Sequence, residues 1–132
     1  MVIFDSSIFV DDLRAGRYSE RIGMIGDLIR NSSVVLAELW RGTTSEAEKK
    51  FLLWLADHYP LLTPTENNWL ESGRILQRMQ GDHGFESKKL RDLHFDVLIA
   101  LTARTHGARL ITSNRADFEL IREYRHFKLE VW

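Results

Sequence analysis

A chain of 132 residues, 44% hydrophobic and 28% charged, has the make-up of one soluble globular domain, 1–132, large enough to bury a core. Its net charge of −1 supplies no global field for nucleic acid, so any such binding has to come from a local basic patch. The lack of cysteine excludes disulfides, thiolate chemistry and Cys-based zinc or iron–sulfur sites and fits a cytoplasmic protein; the acids at Asp5, Asp11 and Asp12 exclude a signal peptide, and no apolar run reaches the ~18–20 residues that span a bilayer.

Val2-Ile3-Phe4 reads as a short buried strand, followed by the N-cap residue types Asp5-Ser6-Ser7 and a helix that Gly16 ends. Glu20–Arg30 is a second helical stretch, with Ile22, Ile25 and Ile29 on one face. Asn31-Ser32-Ser33 reads as a turn, and Val34-Val35-Leu36 as the next buried strand, with Glu38 at its junction with a helix. Ser45–His58 is amphipathic, and Ser45 with Glu48 resembles a capping box. Tyr59–Leu62 is a third strand, which Pro60 assigns to an edge. Thr63-Pro64-Thr65 starts a helix over Glu66–Gln80, and Gly81–Ser87 forms a loop. Phe95–Phe118 then packs a helix opened by Asp96, a strand at Arg109–Thr112, a turn at Ser113-Asn114-Arg115 and a further acid, Asp117, into one α/β unit. Phe127–Trp132 alternates like a half-exposed strand.

Strands alternating with helices argue for an α/β fold with a parallel sheet and helices on both faces. In such folds ligands sit at the C-terminal ends of the strands. The candidate residues there are Asp5, Glu38, Asp96 and Asp117. Each has an ordinary structural role open to it: a cap for Asp5 or Asp117, a dipole-favoured first turn for Asp96, a surface acid for Glu38. Their convergence on one sheet edge favours a site. Clustered carboxylates repel unless a cation neutralises them, and an all-oxygen set suits Mg²⁺ or Mn²⁺, the ions of phosphodiester cleavage. Asp92 shares a helical face with Asp96 and reads as the N-cap of that helix first, with a fifth acid near the metal or a merely solvated residue as alternatives; His94 is a plain surface histidine, a base or a substrate contact. Ser6 and Asn114 are placed to hydrogen-bond a ligated carboxylate or water. Lys88, Lys89 and Arg91, with Arg41, Arg104 and Arg115, are candidate phosphate contacts.

Val2–Val10, Val34–Leu39, Asp96–Ala100 with Thr102-Ala103, and Gly107, Leu110, Thr112, Asn114 and Asp117-Phe118 together resemble the PIN-domain ribonucleases, and among them the VapC-like toxins of toxin–antitoxin pairs. The likeness runs over nearly the whole chain. It implies a three-layer α/β/α sandwich around a parallel sheet of four to five strands. It further implies that Asp5, Glu38, Asp96 and Asp117 are catalytic residues holding Mg²⁺ or Mn²⁺, and that the chain is an endoribonuclease hydrolysing RNA. Homodimers, a cognate antitoxin partner and larger toxin–antitoxin assemblies are implied as well. Trp40, Trp54, Trp69, Phe51 and Leu70 exceed what one small core needs and offer a dimer or antitoxin face. One departure is that Leu93-His94-Phe95 stands where relatives often carry a Ser or Thr cap, and the fourth acid is the variable one in the family.

Two other readings compete. One is a non-catalytic PIN-like module that binds RNA or protein. The other is a phosphatase or phosphoacceptor domain, against which Ser7 stands where a haloacid-dehalogenase-type site needs a second Asp, and no P-loop or dinucleotide fingerprint is present.

Overall fold

The first strand, β1 (Val2–Phe4), explains the architecture. Successive strand residues point to opposite faces, yet Val2, Ile3 and Phe4 are all fully buried, so both faces of the sheet are covered. In the computed structural model, which describes residues 1–132, β1 lies at the centre of a five-stranded, all-parallel sheet. The other strands are β2 (Ile29–Ser32), β3 (Leu61–Leu62), β4 (Arg109–Thr112) and β5 (Lys128–Val131). Their order is β3-β2-β1-β4-β5. The chain leaves β1 toward β2 and leaves β4 toward β5, so the direction of winding reverses between β1 and β4. That is the place where open α/β sheets form a crevice at their C-terminal edge.

Seven helices flank the sheet. They are α1 (Ser6–Ala15), α2 (Ser19–Gly23), α3 (Ser33–Gly42), α4 (Glu46–His58), α5 (Glu66–His83), α6 (Ser87–Thr105) and α7 (Arg115–Tyr124). Gly16 ends α1 in the left-handed conformation, at φ 61°, as glycine permits. Ser45 accepts from the Glu48 N–H at 3.2 Å, while the Glu48 carboxylate accepts from the Thr44 N–H rather than completing the box on Ser45. A full capping box forms instead at Thr65 and Asn68. Pro60 precedes β3 at the sheet edge, as expected.

Three expectations are corrected. Val34-Val35-Leu36 is not a strand: these residues are the buried face of α3, and the strand lies at Ile29–Ser32. Asn31 and Ser32 masked it, because both are polar and both are buried. Asn31 Nδ2 donates to the Leu55 and Tyr59 carbonyls at 2.7 and 3.1 Å, and Ser32 caps α3 through the Val35 N–H. Helical structure in Glu20–Arg30 shrinks accordingly to Ser19–Gly23. Finally, α5 runs on to His83, and α6 begins at Ser87, with Glu86 at its N-cap. Asp92 is therefore not a cap but an exposed residue inside α6, paired with Lys88 at 3.2 Å.

The core gathers Phe4, Ile8, Leu52, Leu55, Phe118 and Ile121 around the sheet. Every residue from Val97 to Ala103 in α6 is buried, which makes this helix the most enclosed of the seven. No helix is long and apolar enough to cross a membrane.

Candidate metal centre

Asp5 follows β1 directly and occupies the N-cap position of α1, yet its side chain makes no capping bond. It is 3% exposed. One oxygen, Oδ2, accepts two hydroxyls: Ser7 Oγ donates at 2.7 Å and Thr112 Oγ1 at 2.9 Å. Those hydroxyls are themselves oriented by backbone donors of the β4–α7 turn, Ser113 N–H to Ser7 Oγ at 3.1 Å and Asn114 N–H to Thr112 Oγ1 at 2.9 Å. The other oxygen, Asp5 Oδ1, is buried and has no partner. A buried carboxylate oxygen left bare is costly unless something it meets is positively charged.

What Oδ1 meets is more negative charge. Glu38 reaches in from the second turn of α3, and its Oε1 is also buried and without a partner. Asp96 reaches in from the middle of α6. One oxygen from each of Asp5, Glu38 and Asp96 lies within 4.8 Å of the others. Burial raises the proton affinity of all three. The Asp5 carboxyl is pushed up by burial, against its hydroxyl donors. Glu38 rises to about 7 through burial and then the Asp5 charge, opposed by the Arg41 charge and a hydrogen bond from Ser6. Asp96 rises to about 8 through burial and then the charges of Asp5, Glu38 and Asp117, opposed by Lys89. Near pH 7 this arrangement either holds protons or is neutralised by a cation. The set contains only hard carboxylate oxygens, and no histidine joins it, so the residues fit Mg²⁺ or Mn²⁺ and not zinc.

Asp117 stands apart. It lies in the first turn of α7, with Asn114 as N-cap. Asn114 Nδ2 donates to its Oδ2 at 3.1 Å, and Lys89 Nζ donates to its Oδ1 at 3.0 Å. Its charge is close enough to raise Asp96, but it is not one of the three converging acids. Ser6 lies beside Glu38 in the lining of the adjoining cleft and lowers its proton affinity slightly. Arg115 is exposed and pairs with Glu119 at 2.9 Å, and the Asn114 side chain bonds Asp117 while its backbone N–H orients the Thr112 hydroxyl that holds Asp5. His94 turns to α5, where its Nε2 shares a hydrogen with the Ser72 hydroxyl at 3.0 Å, and burial lowers its pKa.

Ser7 and Thr112, which hold Asp5, went unmarked in the sequence reading. Their signal was available: Ser7 is two residues past Asp5, and Thr112 is the polar end of an otherwise apolar β4. A cleft of about 480 Å³ adjoins the acids, with Ser6 and Glu38 contributing to its lining. Arg14, Arg41, Thr43 and Thr44 continue that lining.

The family model for the PIN domain matches residues 2–124. The chain belongs to the PIN domain family. No curated protein sequence matches it. Among solved structures, it is similar to a chain of VapBC2 from Rickettsia felis bound to a DNA fragment from its promoter, with 21% identity, a TM-score of 0.75 and coverage of 100% of this chain and 99% of that one. VapBC-1 from nontypeable Haemophilus influenzae gives 22% identity and a TM-score of 0.73, covering 100% and 98%. DNA-bound VapBC from Salmonella typhimurium gives 19% and 0.74, covering 100% and 99%. At these identities the likeness is one of fold. The expected α/β sandwich with a parallel sheet is thus the PIN fold, with five strands. Glu38 and Asp96 reach its crevice from inside helices, not from a strand–helix junction and a helix start as their sequence context suggested.

Proposed function

We propose that this PIN domain is a Mg²⁺- or Mn²⁺-dependent endoribonuclease and the toxin of a toxin–antitoxin pair. The observation that carries the reading is the pair of bare, buried oxygens, Asp5 Oδ1 and Glu38 Oε1, facing Asp96 at the sheet's switch point. Asp5, Glu38 and Asp96 would hold the ion. Bound there, the ion supplies an activated water and neutralises charge on the phosphate.

The chain's own residues prepare that site. Ser7 and Thr112 pin Asp5 through Oδ2, which leaves Oδ1 directed inward. Glu38 and Asp96 give up protons as the site loads, since their proton affinity is raised by crowding and burial. Arg14 and Arg41 line the adjoining cleft and would bind backbone phosphates, which supplies locally the positive charge that the chain as a whole lacks. Asp117 would act from the rim.

The similar structures are VapBC complexes, and a small antitoxin is proposed for this chain by that likeness. Trp40, Trp54, Trp69 and Leu70 are each more than 40% exposed, which offers apolar surface for a homodimer or for that antitoxin. The test is cleavage of RNA by the purified chain with Mg²⁺, Mn²⁺ or EDTA, beside folded Asp5→Asn and Asp96→Asn variants. Metal-dependent cleavage lost in both variants is expected. Equal cleavage in the variants sinks the reading.

A further inference from the structure

The ion pair between Lys89 and Asp117 makes no hydrogen bond to the three acids. Lys89 lies seven residues before Asp96, two turns earlier on α6, so both side chains rise from one face of that helix. The pairing exists because α6 starts at Ser87; a helix opening at Asp96 could not deliver it. Asp117 is fully engaged, with Oδ1 on the Lys89 ammonium and Oδ2 on the Asn114 amide. The Lys89 side chain stays 42% exposed, so the ammonium has one carboxylate partner and remaining N–H donors turned toward solvent at the rim of the site. Its charge reaches Asp96 and opposes the repulsion there. Asp117 therefore already has a fixed cation, whose charge also acts on Asp96, while Asp5 Oδ1 and Glu38 Oε1 have no partner at all.

We infer that Lys89 takes the place of a second divalent ion: the chain binds one ion through Asp5, Glu38 and Asp96, and the Lys89 ammonium, anchored on Asp117, contacts a phosphate oxygen of the substrate strand. This rests on the metal-dependent nuclease reading and deepens it. Asp117 then serves as the anchor of a lysine, which makes it a positioning residue. A compact ammonium with free donors suits such a point contact to phosphate.

The test counts bound Mn²⁺ by electron paramagnetic resonance and measures affinity for a single-stranded RNA in EDTA across a salt series. Wild type should bind one Mn²⁺ per chain. Lys89→Met should bind two, and Lys89→Met with Asp117→Asn one again. Lys89→Met should weaken RNA binding about tenfold and lower the slope of log affinity against log salt by about 0.7, one phosphate contact on a single strand; Lys89→Arg should keep the wild-type ion count. The Lys89 side chain is 42% exposed, and circular dichroism checks that these variants fold. Two Mn²⁺ on wild type, or Lys89→Met with one ion and unchanged RNA affinity, overturns the inference while leaving metal-dependent cleavage standing. A wild type that binds no Mn²⁺ and cleaves nothing overturns the nuclease reading, and this inference with it.

Discussion

Asp96→Asn should stabilise the metal-free protein. The carboxyl it replaces is raised from 3.8 to about 8 in the folded chain. Below about pH 4 that carboxyl is protonated whether the chain is folded or not, and the substitution gains nothing. As pH rises toward 8, folded wild type keeps a proton that the unfolded chain has released, so wild-type stability falls over that interval. About 3 pH units separate the ordinary value from pH 7, and at about 1.4 kcal/mol per unit the ceiling on the gain is about 4 kcal/mol. Asp96 is half-buried and shares its repulsion with Asp5 and Glu38, which brings the expected gain to about 1–3 kcal/mol. The new amide also supplies N–H donors beside Asp5 Oδ1 and Glu38 Oε1, both bare in the wild type. Urea unfolding in EDTA at pH 7.5 and pH 4.5 measures this. Adding Mg²⁺ should stabilise wild type and not the variant, reversing their order. An Asp96→Asn chain that is less stable than metal-free wild type at pH 7.5 would refute the account of three crowded acids.

Four further outcomes are expected. Mn²⁺ at a hundredfold excess over its dissociation constant should stabilise wild type by about 2.7 kcal/mol, read as a rise in Tm that EDTA removes. Ser7→Ala should weaken Mn²⁺ binding about tenfold or more by removing one of the two hydroxyls that hold Asp5 Oδ2 and stranding the Ser113 N–H, measured by calorimetric titration. Asn31→Ala should cost about 2–3 kcal/mol in urea unfolding, because the Leu55 and Tyr59 carbonyls lose a buried donor that ties β2 to the end of α4. Asp92→Ala should leave stability within about 0.5 kcal/mol and Mn²⁺ affinity unchanged, since Asp92 is exposed and meets only Lys88.

Much of the fold was legible because apolar runs and caps are local signals. β1, β3 and β4 read directly from short apolar stretches, α1 from its Gly16 stop, and β5 from alternation. β2 was not legible. Its inner residues, Asn31 and Ser32, are polar, and what makes them strand is hydrogen bonding to α4 and to the α3 backbone, which no window of sequence contains. The neighbouring Val34 and Val35 have strand propensity, but packing against the core holds them in α3. For the site, the residue types pointed to Asp5, Glu38 and Asp96, which the structure brings together. The Thr112 hydroxyl was not legible because its contact with Asp5 is made across the β1–β4 pairing, more than a hundred residues away in sequence, whereas Ser7, two residues past Asp5, also reads as an ordinary helix-start serine. Arg115, next to the acids in sequence, turns out to pair with Glu119 along its own helix.

The displaced start of α6 has the largest chemical consequence. An acid in the first turn of a helix meets free backbone N–H groups and the positive end of the macrodipole, both of which favour its ionised form. Asp96 is instead the tenth residue of α6, where every backbone N–H is already bonded along the helix, so it receives neither. Its position is set by the wholly buried segment Val97–Ala103 immediately after it, which prevents the helix from shifting to relieve the crowding. The carboxyl can then lower its energy in two ways: by holding a proton, or by meeting a cation. The same two extra turns of helix bring Lys89 within 3.0 Å of Asp117. Helix length thus sets both sides of the chemistry, leaving a triad of acids that a proton or a cation has to neutralise and fixing beside it a cation that the chain supplies itself.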